Sequence, residues 1–299
     1  PAASIKHTLA AAGGLVFAQC YEGILYALDA GTGALRWSNR EGRTCGCCGH
    51  YGAVFQDRGR LLLQADRGLL CLETATGKEL WSNPAVRLLK YGRDAIFNVL
   101  AHDGVYHLAC NRAIGLAAVE ADTGRLLWTT NQVVSTGPAA LGSRLYVAAH
   151  ETLQMLDVAT GTVITNRSAP DFQTAAQPLI YGNTIVLGTS TNGLCAFDTE
   201  TLDLKWRVLT GPALVASGAY LRDGYRAVHS TPVRAGALLY FGGMDGWLYA
   251  VDADTGSVAW KFDLGVPLFG APAVAGNKVL IAGFDGNVYA FEGAAGEGG

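Results

Sequence analysis

Short apolar runs bounded by Gly, Asp and Thr recur along the chain, and they stand out most sharply between Ala237 and Phe262, ALLYFGGMDGWLYAVDADTGSVAWKF. Within this stretch ALLYFGG and WLYAVD flank Met244-Asp245-Gly246, and SVAWKF follows Asp254-Thr255-Gly256. β-Branched and aromatic runs that alternate with Asp-Gly and Thr-Gly turns predict successive antiparallel hairpins. The unit is a small β-meander.

Every other part of the sequence is a better or worse copy of that unit. Its frame, Ala-x-Asp-x-x-x-Gly-x-x-x-Trp, is met in full by Ala27, Asp29, Gly33 and Trp37 and again by Ala250, Asp252, Gly256 and Trp260. Cys71, Glu73, Gly77 and Trp81 change the first position, and Ala118, Glu120, Gly124 and Trp128 carry Glu for Asp. Met155, Asp157, Gly161 and Thr165 lose the Trp, whereas Ala196, Asp198, Leu202 and Trp206 lose the Gly. A seventh copy starts at Ala290, Glu292 and Gly296, one residue short of its Trp. The last positions of successive copies, 37, 81, 128, 165, 206 and 260, lie 44, 47, 37, 41 and 54 residues apart. That range suits propeller blades of four strands.

Each slot has a physical reason. A carboxylate at a strand end accepts hydrogen bonds from the amides of the turn that follows, and Gly four residues on supplies positive φ. A Trp on the outer strand carries enough apolar area to seal one blade against the next. Trp37, Trp81, Trp128, Trp206 and Trp260 are therefore expected to be structural. The predicted fold is all-β, a seven-bladed propeller of four-stranded antiparallel blades whose last blade lacks its outer strand. Its inner strands are expected at Ser4–Ala12, Ala53–Gln56, Ile96–Ala101, Ala139–Leu141, Ala175–Ile180, Ser230–Arg234 and Gly270–Ala275. One domain is expected over residues 1–293, with a flexible tail at 294–299.

The frame resembles the tryptophan-docking repeat of the pyrroloquinoline quinone (PQQ) type propellers. That superfamily includes quinoprotein alcohol dehydrogenases, propeller lipoproteins of outer-membrane assembly, and propeller domains attached to bacterial kinases and phosphatases. The resemblance implies fold far more than activity, because one fold hosts many functions.

Composition narrows the classes. Half of the 299 residues are hydrophobic, and 39 Gly against 9 Pro fit a globular chain with many tight turns. A net charge of −3 without a Lys/Arg cluster argues against a nucleic-acid surface. No apolar run reaches the 18 residues or so that a spanning helix needs. The N-terminal PAASIKHTLAAAGG lacks a basic segment followed by a full apolar core, so a signal peptide is expected to be absent or already removed.

In a propeller, function is expected on the face that bears the interblade loops and the loops joining second to third strands. Two interblade connections exceed the others, Arg40 to Tyr51 and Leu209 to His229. The first places Cys45, Cys47, Cys48 and His50 within six residues. Thiolates and an imidazole are zinc or copper ligands, although C-x-C-C is not the common C-x2-C knuckle. The alternatives are a rigid disulfide-stapled loop, with Cys20 to Cys45 or a vicinal Cys47–Cys48 bridge as examples. The resemblance adds one more: in quinoprotein alcohol dehydrogenases an adjacent Cys pair lies against the quinone, and Cys47-Cys48 is similar to it in order and spacing. Seven cysteines leave at least one unpaired in a monomer. Oxidised cysteines would favour a periplasmic or extracellular location, and reduced ones the cytoplasm. Cys71 and Cys195 are expected as small buried hydrophobes.

The second connection gathers Arg222, Asp223, Arg226 and His229 with Tyr220 and Tyr225. Arg222 and Arg226 suit a carboxylate or phosphate, against the plainer reading of a solvated charged loop. Arg112 and His150 occupy equivalent loops of blades 3 and 4. The main functional expectation is a non-catalytic propeller that binds a protein or a small molecule on this face, within a larger bacterial protein. One alternative is a PQQ-dependent dehydrogenase with a calcium-like cation on the axis, for which the family's Glu, Asn and Asp ligands find no match. Another is a lyase, cyclase or metal-binding propeller that uses His50, His229 and Arg226.

Overall fold

The computed structural model describes residues 9–20, 23–41, 54–65, 67–86, 96–110, 115–149, 151–168, 176–215 and 225–292. Seven antiparallel sheets follow one another along the chain, each meandering in sequence order. Blade 1 is β1–β4 (Ala10–Ala12, Leu15–Gln19, Leu25–Asp29, Leu35–Asn39) and blade 2 is β5–β8 (Phe55–Asp57, Arg60–Ala65, Gly68–Glu73, Glu79–Asn83). Blade 3 is β9–β12 (Ile96–His102, Val105–Cys110, Leu116–Glu120, Leu126–Thr130), and blade 4 is β13–β16 (Ala139–Leu141, Arg144–Ala149, Thr152–Asp157, Val163–Ser168). Blade 5 is β17–β20 (Leu179–Tyr181, Thr184–Gly188, Leu194–Asp198, Leu204–Val208), and blade 6 is β21–β24 (Val233–Ala235, Leu238–Gly242, Trp247–Asp252, Val258–Asp263). Blade 7 holds only β25–β27 (Ala273–Ala275, Lys278–Ala282, Val288–Glu292). The fold is a seven-bladed β-propeller with a three-stranded last blade. Among the described residues the helical content is one 3₁₀ turn, Pro84–Val86.

The chain divides into two compact units, Pro1–Val134 with Val158–Thr162, and Ser135–Asp157 with Val163–Gly299. The core of each lies between facing sheets. Leu61, Leu63, Leu70 and Leu72 of blade 2 pack with Phe17, Leu25 and Ala27 of blade 1 in the first. In the second, Val186 and Ala196 of blade 5 pack with Leu239, Phe241 and Val251 of blade 6. Strands such as β6, β7, β22 and β23 are buried almost throughout, as expected for sheets covered on both faces.

The frame acts first on the turn after the third strand. Asp252 Oδ1 accepts from the amide of Thr255 at 2.9 Å and its hydroxyl at 2.8 Å, while Gly256 N–H donates to Asp252 O at 2.9 Å. Asp29 repeats this with Thr32, and Arg36 adds a 2.8 Å ion pair to the other carboxylate oxygen. These donors hold the Asp29 carboxyl well below the usual carboxylate range, Arg36 contributing most. Gly256 has φ +71°, a conformation that any side chain would strain.

The frame acts next between blades. A Cβ on Gly77 would stand 2.6 Å from the Trp37 ring, and the same holds for Gly161 against Trp128 and Gly256 against Trp206. The indole N–H groups of Trp37, Trp81 and Trp128 donate to the carbonyls of Thr74, Ala121 and Val158 at 3.2, 3.0 and 3.2 Å. Each acceptor is the residue after the frame carboxylate of the following blade.

The inner strands of blades 3 and 4 lie where expected, at Ile96–His102 and Ala139–Leu141, but those of blades 5 to 7 are shorter. Only Val233–Ala235 pairs where Ser230–Arg234 was expected, and Leu179–Tyr181 where Ala175–Ile180 was expected. The residues before them spend their backbone groups on neighbouring loops instead, as Val228 N–H does on Thr189 O and Met244 N–H on Ala227 O.

Candidate functional site

Cys45, Cys47, Cys48, His50, Arg112, His150, Arg222 and Asp223 lie outside the described residues. The structure therefore places two of the predicted site residues, Arg226 and His229, both in the connection that enters blade 6. Backbone hydrogen bonds stitch this connection to the loops beside it. Gly193 N–H donates to Arg226 O at 2.8 Å, Leu214 N–H to Met244 O at 2.9 Å, and Leu264 N–H to Gly246 O at 2.9 Å. The loop edge of blades 5 to 7 is thus one connected surface within the second unit.

Arg226 and His229 serve different partners there. The Arg226 guanidinium donates to the carbonyl of Thr210. His229 lies flat against Phe269, ring centroids 6.0 Å apart and planes 9° apart, and burial lowers its pKa. Phe269 in turn meets Phe284 at 5.4 Å. Phe284 is 70% exposed and Phe269 is 38% exposed, so an aromatic row runs from a half-buried imidazole to open solvent.

Beside this row stands Asp245, whose carboxylate is buried. Its Oδ2 accepts from Tyr249 Oη at 2.5 Å and from Gly211 N–H at 2.6 Å, and Oδ1 accepts from Trp247 N–H at 3.3 Å. Burial and the bond to Asp245 push the Tyr249 hydroxyl pKa up. Lys261 sits over the Trp247 ring at 4.3 Å from its centroid. Blade 7 repeats the pair in exposed form, Tyr289 Oη donating to Asp285 Oδ2 at 2.6 Å. Asp245 and Tyr249 were not singled out as site residues from the sequence. The signal that would have found them is the doubled spacing Asp-Gly-x-x-Tyr at 245–249 and 285–289.

The described donors fit a cation poorly. Both Asp245 oxygens already accept hydrogen bonds, and no three His, Cys, Asp or Glu side chains converge among the described residues. Cys20, Cys71, Cys110 and Cys195 are buried, and Cys45, the expected partner of Cys20, lies outside the described residues. Burial pushes the thiols of Cys71 and Cys195 up to about 12, which makes them inert packing groups. On the turns of the first unit, a cleft of about 800 Å³ is lined by Asp29, Arg36, Gln56, Glu73 and Thr74. The ion pair in it, Asp29 with Arg36, belongs to the turn itself. Among the described residues no helix is long and apolar enough to cross a membrane.

Three solved structures set this fold in context. BamB from Moraxella catarrhalis superposes with a TM-score of 0.70 at 18% identity, over 99% of this chain and 85% of that one. A europium-containing methanol dehydrogenase gives 0.62 at 16% identity, over 95% of this chain and 72% of that one. The quinohemoprotein alcohol dehydrogenase ADHIIG from Pseudomonas putida HK5 gives 0.63 at 14% identity, over 92% and 62%. At these identities the likeness is one of fold. No curated protein matches the sequence. The family described as outer membrane protein assembly factor BamB matches residues 2–106, 113–228 and 222–298, which is nearly the whole chain. By that match the chain belongs to the BamB family, within the PQQ-like β-propeller superfamily.

Proposed function

We propose that this chain is a protein-binding scaffold module, and that it holds its partner on the loop edge of blades 5 to 7. The observation that carries this reading is the row His229, Phe269 and Phe284, which leaves two phenyl rings exposed on loops braced by backbone hydrogen bonds. Exposed aromatic side chains on a rigid frame are what protein interfaces use as anchors. The polar groups nearby support the same reading. Asp245, Tyr249 and Arg226 are engaged with one another's loops and stiffen the surface rather than face a substrate.

The quinoprotein alternative keeps Cys47 and Cys48 as its residues. Those lie outside the described residues, and the described donors do not fit the cation that would accompany PQQ.

A photo-crosslinking amino acid in place of Phe284, in the source cells, tests the proposal. A discrete adduct from position 284 and none from Leu35, exposed on an outer strand, is the expected result. Equal labelling from both positions would sink it. So would alcohol-dependent dye reduction by the purified chain supplied with PQQ and calcium.

A further inference from the structure

The cleft on the turns of the first unit lies where two other pairs of neighbouring blades hold an ion pair. Arg60 stands opposite the frame carboxylate Glu73 of its own blade, and its guanidinium crosses to Asp122, two residues past the frame carboxylate of blade 3. Arg144 stands opposite Asp157 and crosses in the same way to Glu200, two residues past Asp198 of blade 5. Between blades 1 and 2 the corresponding residues are Leu15, opposite Asp29, and Ala75, two residues past Glu73. These two make no such pair, and both line the cleft. Its volume of about 800 Å³ lies in the range of small-molecule sites. Gly13, Gly14, Gly59 and Ala75 on its lining are exposed, so the cleft opens to solvent.

The charged groups in the cleft, Asp29, Glu73 and Arg36, sum to a negative charge. Arg36 is already paired with Asp29 at 2.8 Å. Glu73 Oε2 accepts from the Thr76 hydroxyl, and Glu73 Oε1 has no partner among the described residues. Beside it, Thr74 is only 6% exposed, and its Oγ1 also meets no partner among the described residues. Burying a hydroxyl in that state is costly. The frame does not ask for it, because Ala30, Ala121, Val158 and Ala253 hold the same position in four other blades. Gln56 adds a side-chain amide to the lining, and Ala12 and Leu15 add an apolar wall. A carboxylate oxygen, a hydroxyl and an amide oxygen beside apolar surface match a cationic head with several N–H donors on a short alkyl stem. A guanidinium is the head that this place holds in the other two pairs of blades.

We infer that the cleft between blades 1 and 2 binds a small alkylguanidinium compound. The planar head donates to Glu73, with the Thr74 hydroxyl and the Gln56 amide oxygen as further acceptors, and the stem lies along Leu15 and Ala75. The ligand thus takes the place of the side chain that Arg60 and Arg144 supply elsewhere. The inference concerns the first unit alone and does not rest on the loop-edge reading above.

Isothermal titration calorimetry of the full chain with butylguanidinium, and with its neutral isostere butylurea, tests it. Butylguanidinium should bind saturably, and butylurea about tenfold more weakly or worse. Two variants separate loss of the site from loss of the fold. Glu73→Gln keeps an acceptor for Thr76 and should weaken binding about tenfold. Leu15→Arg combined with Ala75→Glu rebuilds the ion pair of blades 4 and 5 inside the cleft, and should abolish binding with an unchanged circular dichroism spectrum. A blocked Gly-Arg-Gly peptide identifies the source of the head group. It should bind more weakly than butylguanidinium, whereas tighter binding would assign the cleft to an arginine of a protein partner and overturn the small-molecule reading. Absence of saturable binding, equal binding of butylurea, or binding indifferent to the Leu15→Arg and Ala75→Glu pair would each overturn it as well.

Discussion

The indole of Trp81, on the outer strand of blade 2, lies so close over Gly124, in the third turn of blade 3, that a Cβ at Gly124 would stand 2.3 Å from Cε3 of the ring. Gly124 also has φ +74°. One glycine thus meets two demands at once, the tight turn of its own blade and the flat seat for its neighbour's ring.

Replacing Gly124 by Ala should therefore cost more than backbone strain alone. The strain of positive φ is worth about 1 kcal/mol, and a methyl forced into the ring adds about 1–3 kcal/mol. Gly104→Ala is the control, since Gly104 has φ +76° and open space where its Cβ would point. In urea unfolding, Gly104→Ala should lose about 1 kcal/mol and Gly124→Ala distinctly more.

The carbonyl that receives the indole N–H is contested in two places, which yields a second prediction. Tyr181 Oη donates to Ala253 O at 2.5 Å, and the buried Trp206 N–H, whose frame partner that carbonyl is, has no acceptor among the described residues. In blade 4, where Thr165 replaces the Trp, Tyr146 Oη takes the corresponding carbonyl of Thr199 at 3.1 Å. Tyr181→Phe should thus cost under about 0.5 kcal/mol, because Trp206 inherits the acceptor. Tyr146→Phe should cost about 1–2 kcal/mol, because the buried Thr199 carbonyl loses its donor. Thermal or urea unfolding of the two variants compares them directly.

That substitution of one donor for another shows where the sequence was legible and where it was not. The frame residues act through neighbours at fixed chain distance, Asp29 on Thr32 or Asp252 on Thr255, so a single blade was enough to read the turns and the meander. The three-stranded last blade followed from the same count. Tyr146, Tyr181 and Asp245 act across blades or between loops, on partners 4 to 72 residues away whose spacing repeats at most once. No periodicity reports them. The inner strands of blades 5 to 7 were overestimated for a related reason: their apolar pattern continues past the point where backbone pairing changes partner, and hydrophobicity does not record which carbonyl an amide meets. Of the candidate site, the pattern located the connection that carries Arg226 and His229, but not the use of Arg226 on Thr210 or of His229 on Phe269.

The two departures from the frame in blades 4 and 5 belong together. Blade 4 presents Thr165 where a Trp would stand, and the next blade has Leu202 where every other described copy has Gly. Leu202 sits at φ +59° and is almost fully buried, packed in the core with Tyr146 and Met155 of blade 4. Its side chain fills volume that an indole fills elsewhere. Leu202→Gly alone should relieve strain yet lose about 2 kcal/mol net to the cavity, and Thr165→Trp alone should lose about 1–3 kcal/mol to overpacking. Combined, the two should be less damaging than their sum by at least about 1 kcal/mol in a double-mutant cycle.

His107 makes blade 3 sensitive to acid. Its imidazole is 1% exposed beneath Trp128, with ring centroids 5.7 Å apart, and neither ring nitrogen has a hydrogen-bond partner among the described residues. Burial first, and His102 at 6.5 Å second, lower its pKa from 6.5 to about 4. The folded protein thus holds His107 neutral in a range where the unfolded chain is protonated. Stability tied to this group is complete above about pH 6.5, declines as the pH falls through that value, and reaches its floor near pH 4. The full loss is about 3 kcal/mol, from the difference between the two pKa values. His107→Leu, close in volume and unable to take a proton, should flatten that part of the profile. Urea unfolding between pH 7 and 4.5 reads the difference: wild type should weaken steadily relative to the variant, and parallel curves would show that the imidazole is protonated inside the fold.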